Sequence, residues 1–115
     1  MSSTVTVADP GPIDLDHLAR MTCGDKALAC EVLALFLRQS ATLGAALADA
    51  SGDTAGLAHT LKGSARSIGA FRVADCAAAA EDSVRRGTDP ALELAGLRVA
   101  LAEATRAIEA LLSRP

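Results

Sequence analysis

Leu57-Ala58-His59-Thr60-Leu61-Lys62-Gly63-Ser64-Ala65-Arg66-Ser67-Ile68, followed by Gly69-Ala70, divides cleanly around a helix axis. At about 100° per residue, Lys62, Gly63 and Arg66 fall within about 60° of His59, whereas Leu57, Leu61, Ser64 and Ile68 point roughly the opposite way. The spacing predicts an amphipathic helix whose apolar side is buried and whose histidine faces solvent. Asp53 or Thr54 can cap its start, and Gly69 breaks it.

Working outward, apolar residues recur at three and four rather than two, so no segment has a strand pattern. Upstream, Ile13, Leu15, Leu18 and Met21 are the packing residues of a short helix, and Gly24-Asp25 punctuates. Asp25 can cap a long helix to about residue 50, with Leu28, Val32, Leu35, Phe36, Leu43 and Leu47 as one apolar stripe. Gly52 can close that helix in a left-handed turn. Downstream, a helix over about residues 71–86 sets Ala74, Ala77, Ala80 and Val84 on one side, where small side chains permit close approach, and Gly87 stops it. Asp89-Pro90 suits an N-cap followed by proline at the first helical position. The final helix carries Leu94, Leu97, Leu101, Ala104, Ile108 and Leu111 at alternating spacings of three and four, a bundle-type seam.

Four long amphipathic helices with short connections predict an all-α fold, an antiparallel up-down-up-down four-helix bundle with a short extra N-terminal helix as a lid. At 115 residues the chain holds one domain's worth of core. Residues 1–12, ending in Asp9-Pro10-Gly11-Pro12, lack periodicity and are expected to be a flexible lead-in; residues 13–115 form the domain. Only two residues are aromatic and the net charge is -3, so neither stacking platforms nor a basic footprint for nucleic acid is present. The N-terminus lacks a basic segment and an apolar run, and no 18 apolar residues follow one another, so a cytoplasmic protein without membrane association is expected. Cys23, Cys30 and Cys76 are odd in number and unpaired in spacing. They are expected to be small buried or half-buried hydrophobes, not a disulfide or zinc framework.

A neutral imidazole has one protonated and one free ring nitrogen, so it becomes a defined nucleophile when a partner fixes which is which. Glu81 can be that partner. If the helices either side of Gly69-Ala70 form a hairpin, His59 and Glu81 lie equally far from Ala70 and stand level. A carboxylate on Nδ1–H would leave Nε2 outward. Arg85, one turn beyond Glu81, can reach the same rim. Lys62 and Arg66, one and two turns along from His59, supply cations suited to phosphoryl oxygens. Glycine in a helix costs about 1 kcal/mol relative to alanine, so Gly63 beside the histidine points to a place that must stay free of bulk. His17 has no matching Lys-Gly and is taken as a surface residue.

This segment, together with Ile13-Asp14, Gly24-Asp25 and Leu33-Ala34-Leu35-Phe36-Leu37, resembles histidine-containing phosphotransfer (HPt) domains of two-component phosphorelays. The resemblance implies that His59 is phosphorylated, that Lys62 orients the phosphoryl group, and that Gly63 leaves room for a receiver domain. Glu81 is similar to the acidic or amide partner that many such domains carry on the following helix. The position of Arg66 is often small in the family, so its larger side chain departs from the pattern and suggests a role in partner choice. The implied function is a phosphorelay intermediate, accepting from a receiver-domain aspartyl phosphate and passing to another receiver aspartate.

The implied partners are receiver domains of hybrid histidine kinases and response regulators. The chain itself offers no acid cluster on a strand-loop scaffold and no phosphate loop. Hence no cofactor of its own and no ATP-dependent kinase activity are expected, and Mg²⁺ should belong to the partner receiver. Two alternatives remain. One is the phosphoacceptor and dimerisation region of a histidine kinase, disfavoured because Thr60, not an acid, follows His59 and because four helices in one chain imply a monomer. The other is a non-catalytic helical interaction module, in which His59 would be dispensable.

Overall fold

The computed structural model describes residues 11–49 and 52–114, and these form five α-helices with no strand among them. They are α1 (Leu15–Met21), α2 (Lys26–Ala48), α3 (Thr54–Ile68), α4 (Phe71–Arg85) and α5 (Ala91–Leu112). Residues 1–10 of the expected lead-in lie outside the described residues.

Carboxylates start three of the helices. Asp14, Asp25 and Asp53 each accept the N–H three residues on, from His17, Leu28 and Gly56, at 3.0 to 3.1 Å. At the start of α5 the expected placement moves by one residue. Pro90 is the N-cap, and Asp89 reaches past it to accept from the Ala91 N–H at 3.0 Å. The Asp89 carboxylate thus satisfies the orphan Ala91 donor with an acceptor that the proline side chain lacks.

Gly69 makes the turn between α3 and α4 with φ 86°, a left-handed cap. The Ala70 N–H bonds back to Ala65 at 2.8 Å, closing α3 in a Schellman arrangement. A Cβ on Gly69 would stand 2.8 Å from the Asp14 carbonyl oxygen, and the Asp14 N–H donates to the Gly69 carbonyl at 2.9 Å. The segment entering α1 is therefore seated directly on this turn. Gly52, expected to act similarly after α2, is not among the left-handed glycines; α2 ends at Ala48 with Asp49 extended.

Between α3 and α4 the packing is close because the residues that meet are small. Ala58, Leu61 and Ala65 on one side and Val73, Ala74, Ala77 and Ala80 on the other are fully buried. The α5 seam completes the core through Leu97, Ala100, Ala104 and Ile108, with Leu94, Leu101 and Leu111 half-buried.

The expected stripe of α2 is only partly correct. Leu33, Phe36, Ser40 and Leu47 are its buried residues, while Leu28 and Leu35 are 41% and 56% exposed. On a helix this apolar several stripes compete, and the bundle selects the one facing α3 and α5. By length and composition alone α2 is apolar enough to cross a membrane; here it is a bundle helix. In α1 only Leu18 is buried, with Ile13 just before it. Leu15 and Met21 are more than half exposed, because two turns of helix have one narrow face to bury, and both line shallow apolar grooves beside α2. Cys23 and Cys30 are exposed, against expectation, and Cys76 is half-buried. Cys23 sits in the turn after α1 with φ 53°, where its side chain has no core to enter.

Candidate functional site

The hairpin register decides the geometry of the site. Glu81 continues the apolar seam of Ala74 and Ala77 by helical spacing, so its carboxylate enters the edge of the α3–α4 interface. Its side chain is 10% exposed. A carboxylate removed from water must be met by donors. Three arrive: His59 Nδ1 at 3.0 Å on Oε2, Arg85 Nε at 3.0 Å on the same oxygen, and Lys62 Nζ at 2.7 Å on Oε1.

The Lys62 hydrogen bond, working against burial and aided by Arg85 and His59, holds the Glu81 carboxyl down to about 2. Glu81 is consequently ionised and can only accept. The shared hydrogen therefore resides on Nδ1, and the lone pair of the neutral ring resides on Nε2. With the His59 side chain 63% exposed, that lone pair is accessible.

Around this centre the six expected residues divide. His59, Lys62, Glu81 and Arg85 form one connected cluster. Gly63 and Arg66 lie apart from it on the exposed side of α3. A Cβ added at Gly63 would meet nothing within 4 Å, so no neighbour inside the molecule requires the glycine. Arg66 is exposed and forms no ion pair among the described residues. Lys62 differs most from expectation. Its ammonium turns toward α4 and its side chain is only 19% exposed, so it serves Glu81 in this state. Helical spacing sets Lys62 on the flank of His59 that faces the hairpin partner, but spacing does not decide which way the ammonium turns.

His17 is half-buried, not a free surface residue. Its ring meets Phe71 edge-on at a centroid distance of 5.0 Å, pinning α1 against the start of α4. Among the described residues no group of three or more His, Cys, Asp or Glu is placed to hold a metal ion.

Fold and site together define a class: a small helical bundle that presents, on an exposed helix face, a histidine held in one tautomer by a buried carboxylate. The chain belongs to the Hpt domain family, whose model matches residues 31–114, from the first turns of α2 to the end of α5. No curated protein and no solved structure matches it. Membership assigns the chain to phosphotransfer in two-component signalling, and Hpt domains interact with response-regulator receiver domains.

Proposed function

We propose that this protein is a phosphorelay intermediate that takes a phosphoryl group from an aspartyl phosphate of one receiver domain onto His59 and gives it to an aspartate of another. The observation that carries this reading is the 3.0 Å contact between His59 Nδ1 and an ionised Glu81 beneath an exposed ring. In the forward step the Nε2 lone pair forms the bond to phosphorus. The bond from phosphorus to the receiver's carboxylate oxygen breaks, and its electron pair leaves with that carboxylate. The Nδ1 proton stays between His59 and Glu81, whose negative charge offsets the positive charge developing on the ring.

Gly63 leaves the approach beside Nε2 clear, and Arg66 extends the contact surface toward the partner. Mg²⁺ belongs to the receiver in this reading, and the bundle neither binds ATP nor phosphorylates itself. We take the four long helices to run alternately up and down. The α3–α4 hairpin and the short α4–α5 connection support this, as do the contacts of α2 with both α3 and α5. A monomer in the cytoplasm, engaging receiver domains and not nucleic acid or membrane, is the corresponding setting.

A phosphotransfer profile against the receiver domains of the host tests the proposal. Wild-type protein should acquire acid-labile label within seconds from at least one phosphorylated receiver. His59→Gln should acquire none while keeping its helicity, because the side chain contributes little packing. Equal labelling of the two proteins would defeat the assignment of His59.

A further inference from the structure

We propose that Arg66 selects among receiver domains: its guanidinium pairs with a carboxylate side chain on the docked receiver, so receivers with an acid at that place are preferred and those with a base are turned away. The inference rests on the phosphoacceptor reading of His59 and names the partner chemistry which that reading leaves open.

Arg66 stands two helical turns from His59 on α3, about 10 Å along the axis and within about 20° of the same face. Between them lies Gly63, exposed and with open space where a Cβ would be. A body that settles over His59 and this clear place meets the Arg66 side chain next. The hydroxyls flanking the path turn back to their own helix, Thr60 to the Gly56 carbonyl and Ser67 to those of Gly63 and Ser64. Arg66 is therefore the charge that this stretch of α3 offers outward.

That charge is uncommitted. The other cations of the hairpin all have carboxylates: Lys62 and Arg85 hold Glu81, Arg72 meets Glu103, and Arg86 meets Asp82. Arg66 alone on the hairpin has no ion pair among the described residues, and the register explains it. With His59 level with Glu81, Arg66 falls level with Ala74, which is fully buried, and Phe71 and Ala78 stand about one turn to either side. Thus α4 supplies a carboxylate opposite the histidine and none at the level of the arginine. Arg66 lies in the last turn of α3, where a cation favours the helix dipole, but a lysine would serve that equally. A guanidinium adds a planar fork that takes a carboxylate through two parallel bonds. At the rim of an interface such a charge governs encounter and discrimination, and a like charge on the visitor opposes docking.

Phosphorylated receiver domains of the host, set beside phosphoramidate, a small donor that needs no docked receiver, separate this role from contact with the phosphoryl group. With phosphoramidate the Nε2 lone pair takes the phosphorus, the P–N bond breaks, and ammonia leaves with the electron pair. Transfer to the full chain is measured for wild type, Arg66→Lys, Arg66→Ala and Arg66→Glu, with the ¹⁵N signals of the His59 ring as a check on the cluster. For the receiver that wild type prefers, Arg66→Glu should lower kcat/KM about tenfold or more, chiefly through KM, and raised salt should narrow the gap. Arg66→Lys and Arg66→Ala should fall between, in that order, while phosphoramidate rates and ring signals stay in place. When the exposed acids around that receiver's phosphorylated aspartate are reversed to arginine one at a time, one reversal should restore transfer to Arg66→Glu. Unchanged kcat/KM with every receiver, an equal loss with every receiver, or the lack of any restoring reversal would overturn the inference. So would a matching loss with phosphoramidate, which would place Arg66 on the phosphoryl group. A wild-type protein that phosphoramidate cannot label on His59 would instead remove the phosphoacceptor reading beneath it.

Discussion

Along α3 and α4 the side chains that meet are mostly alanines with no exposed surface, and one carboxylate at their edge is held by three donors. Along α2 the surface is mostly leucine, valine and alanine, only four residues are buried, and apolar grooves run along its flanks. The first region has one solution: backbones brought close by small residues fix the register that lets His59 reach Glu81. The second has latitude, because long aliphatic chains over shallow grooves repack at small cost. Chemistry in this molecule is built where packing leaves no freedom.

The largest effect expected from breaking that contrast comes from enlarging an alanine in the tight interface. Ala77→Leu should cost about 1 to 3 kcal/mol through overpacking, and it should also part His59 from Glu81. Urea unfolding together with the ring ¹⁵N signals would show both, and an unperturbed ring would mean that the interface is looser than its burial implies.

Next comes the carboxylate itself. Glu81→Ala should release the ring and slow phosphotransfer about ten- to a hundredfold, as loss of an orienting partner generally does. Glu81→Gln retains an acceptor and should fall between it and wild type. Equal rates in all three proteins would reduce Glu81 to a bystander.

Acid sharpens the comparison further, because among the described residues only the hairpin holds a carboxyl shifted this far. The Glu81 carboxyl is lowered from 4.5 to about 2 in the folded protein. A lowered folded value means that its contribution to stability is complete above 4.5 and fades as pH falls from there through 2. Melting temperatures across that window should fall more steeply for wild type than for Glu81→Gln; parallel curves would show that the cluster adds nothing to the fold.

Smaller still is Gly63→Ala. It should stabilise α3 by about 1 kcal/mol, since the added methyl meets no neighbour, while slowing transfer from a receiver and sparing phosphoramidate. Leu35→Gln lies at the bottom of the scale. A half-exposed side chain on the permissive helix should shift stability by no more than about 0.5 kcal/mol in chemical unfolding. A loss comparable with that of Ala77→Leu would abolish the distinction between the two regions.

Much of the hairpin was legible in the sequence because a single glycine fixes the turn and both flanking helices are strongly amphipathic. His59 and Glu81 fall level once Gly69 is accepted as the break, and the α5 seam follows from the spacing of its leucines. The orientation of α2 was not legible. Its apolar positions are so nearly continuous that Leu28 and Leu35 fit a stripe as well as Leu33 does, and the buried Ser40 gives no hydrophobic signal at all. Ser40, Thr22 and Ser83 are tolerated inside because each hydroxyl bonds to a nearby backbone carbonyl. The direction of the Lys62 ammonium was equally hidden. Its place on the helix is set by spacing, but its choice between solvent and Glu81 is a matter of rotamer and charge.

The seating of Asp14 on Gly69 bears on how the domain could be tethered. Any polypeptide joined upstream enters the molecule at this turn, and Gly69 lies ten residues along α3 from His59, about 15 Å at helical rise. A leash attached there is anchored to the end of the hairpin away from the nucleophile. The entry point of such a leash stands well away from the imidazole, so an N-terminal fluorophore or fusion should report on the domain while leaving its surface open to a visitor.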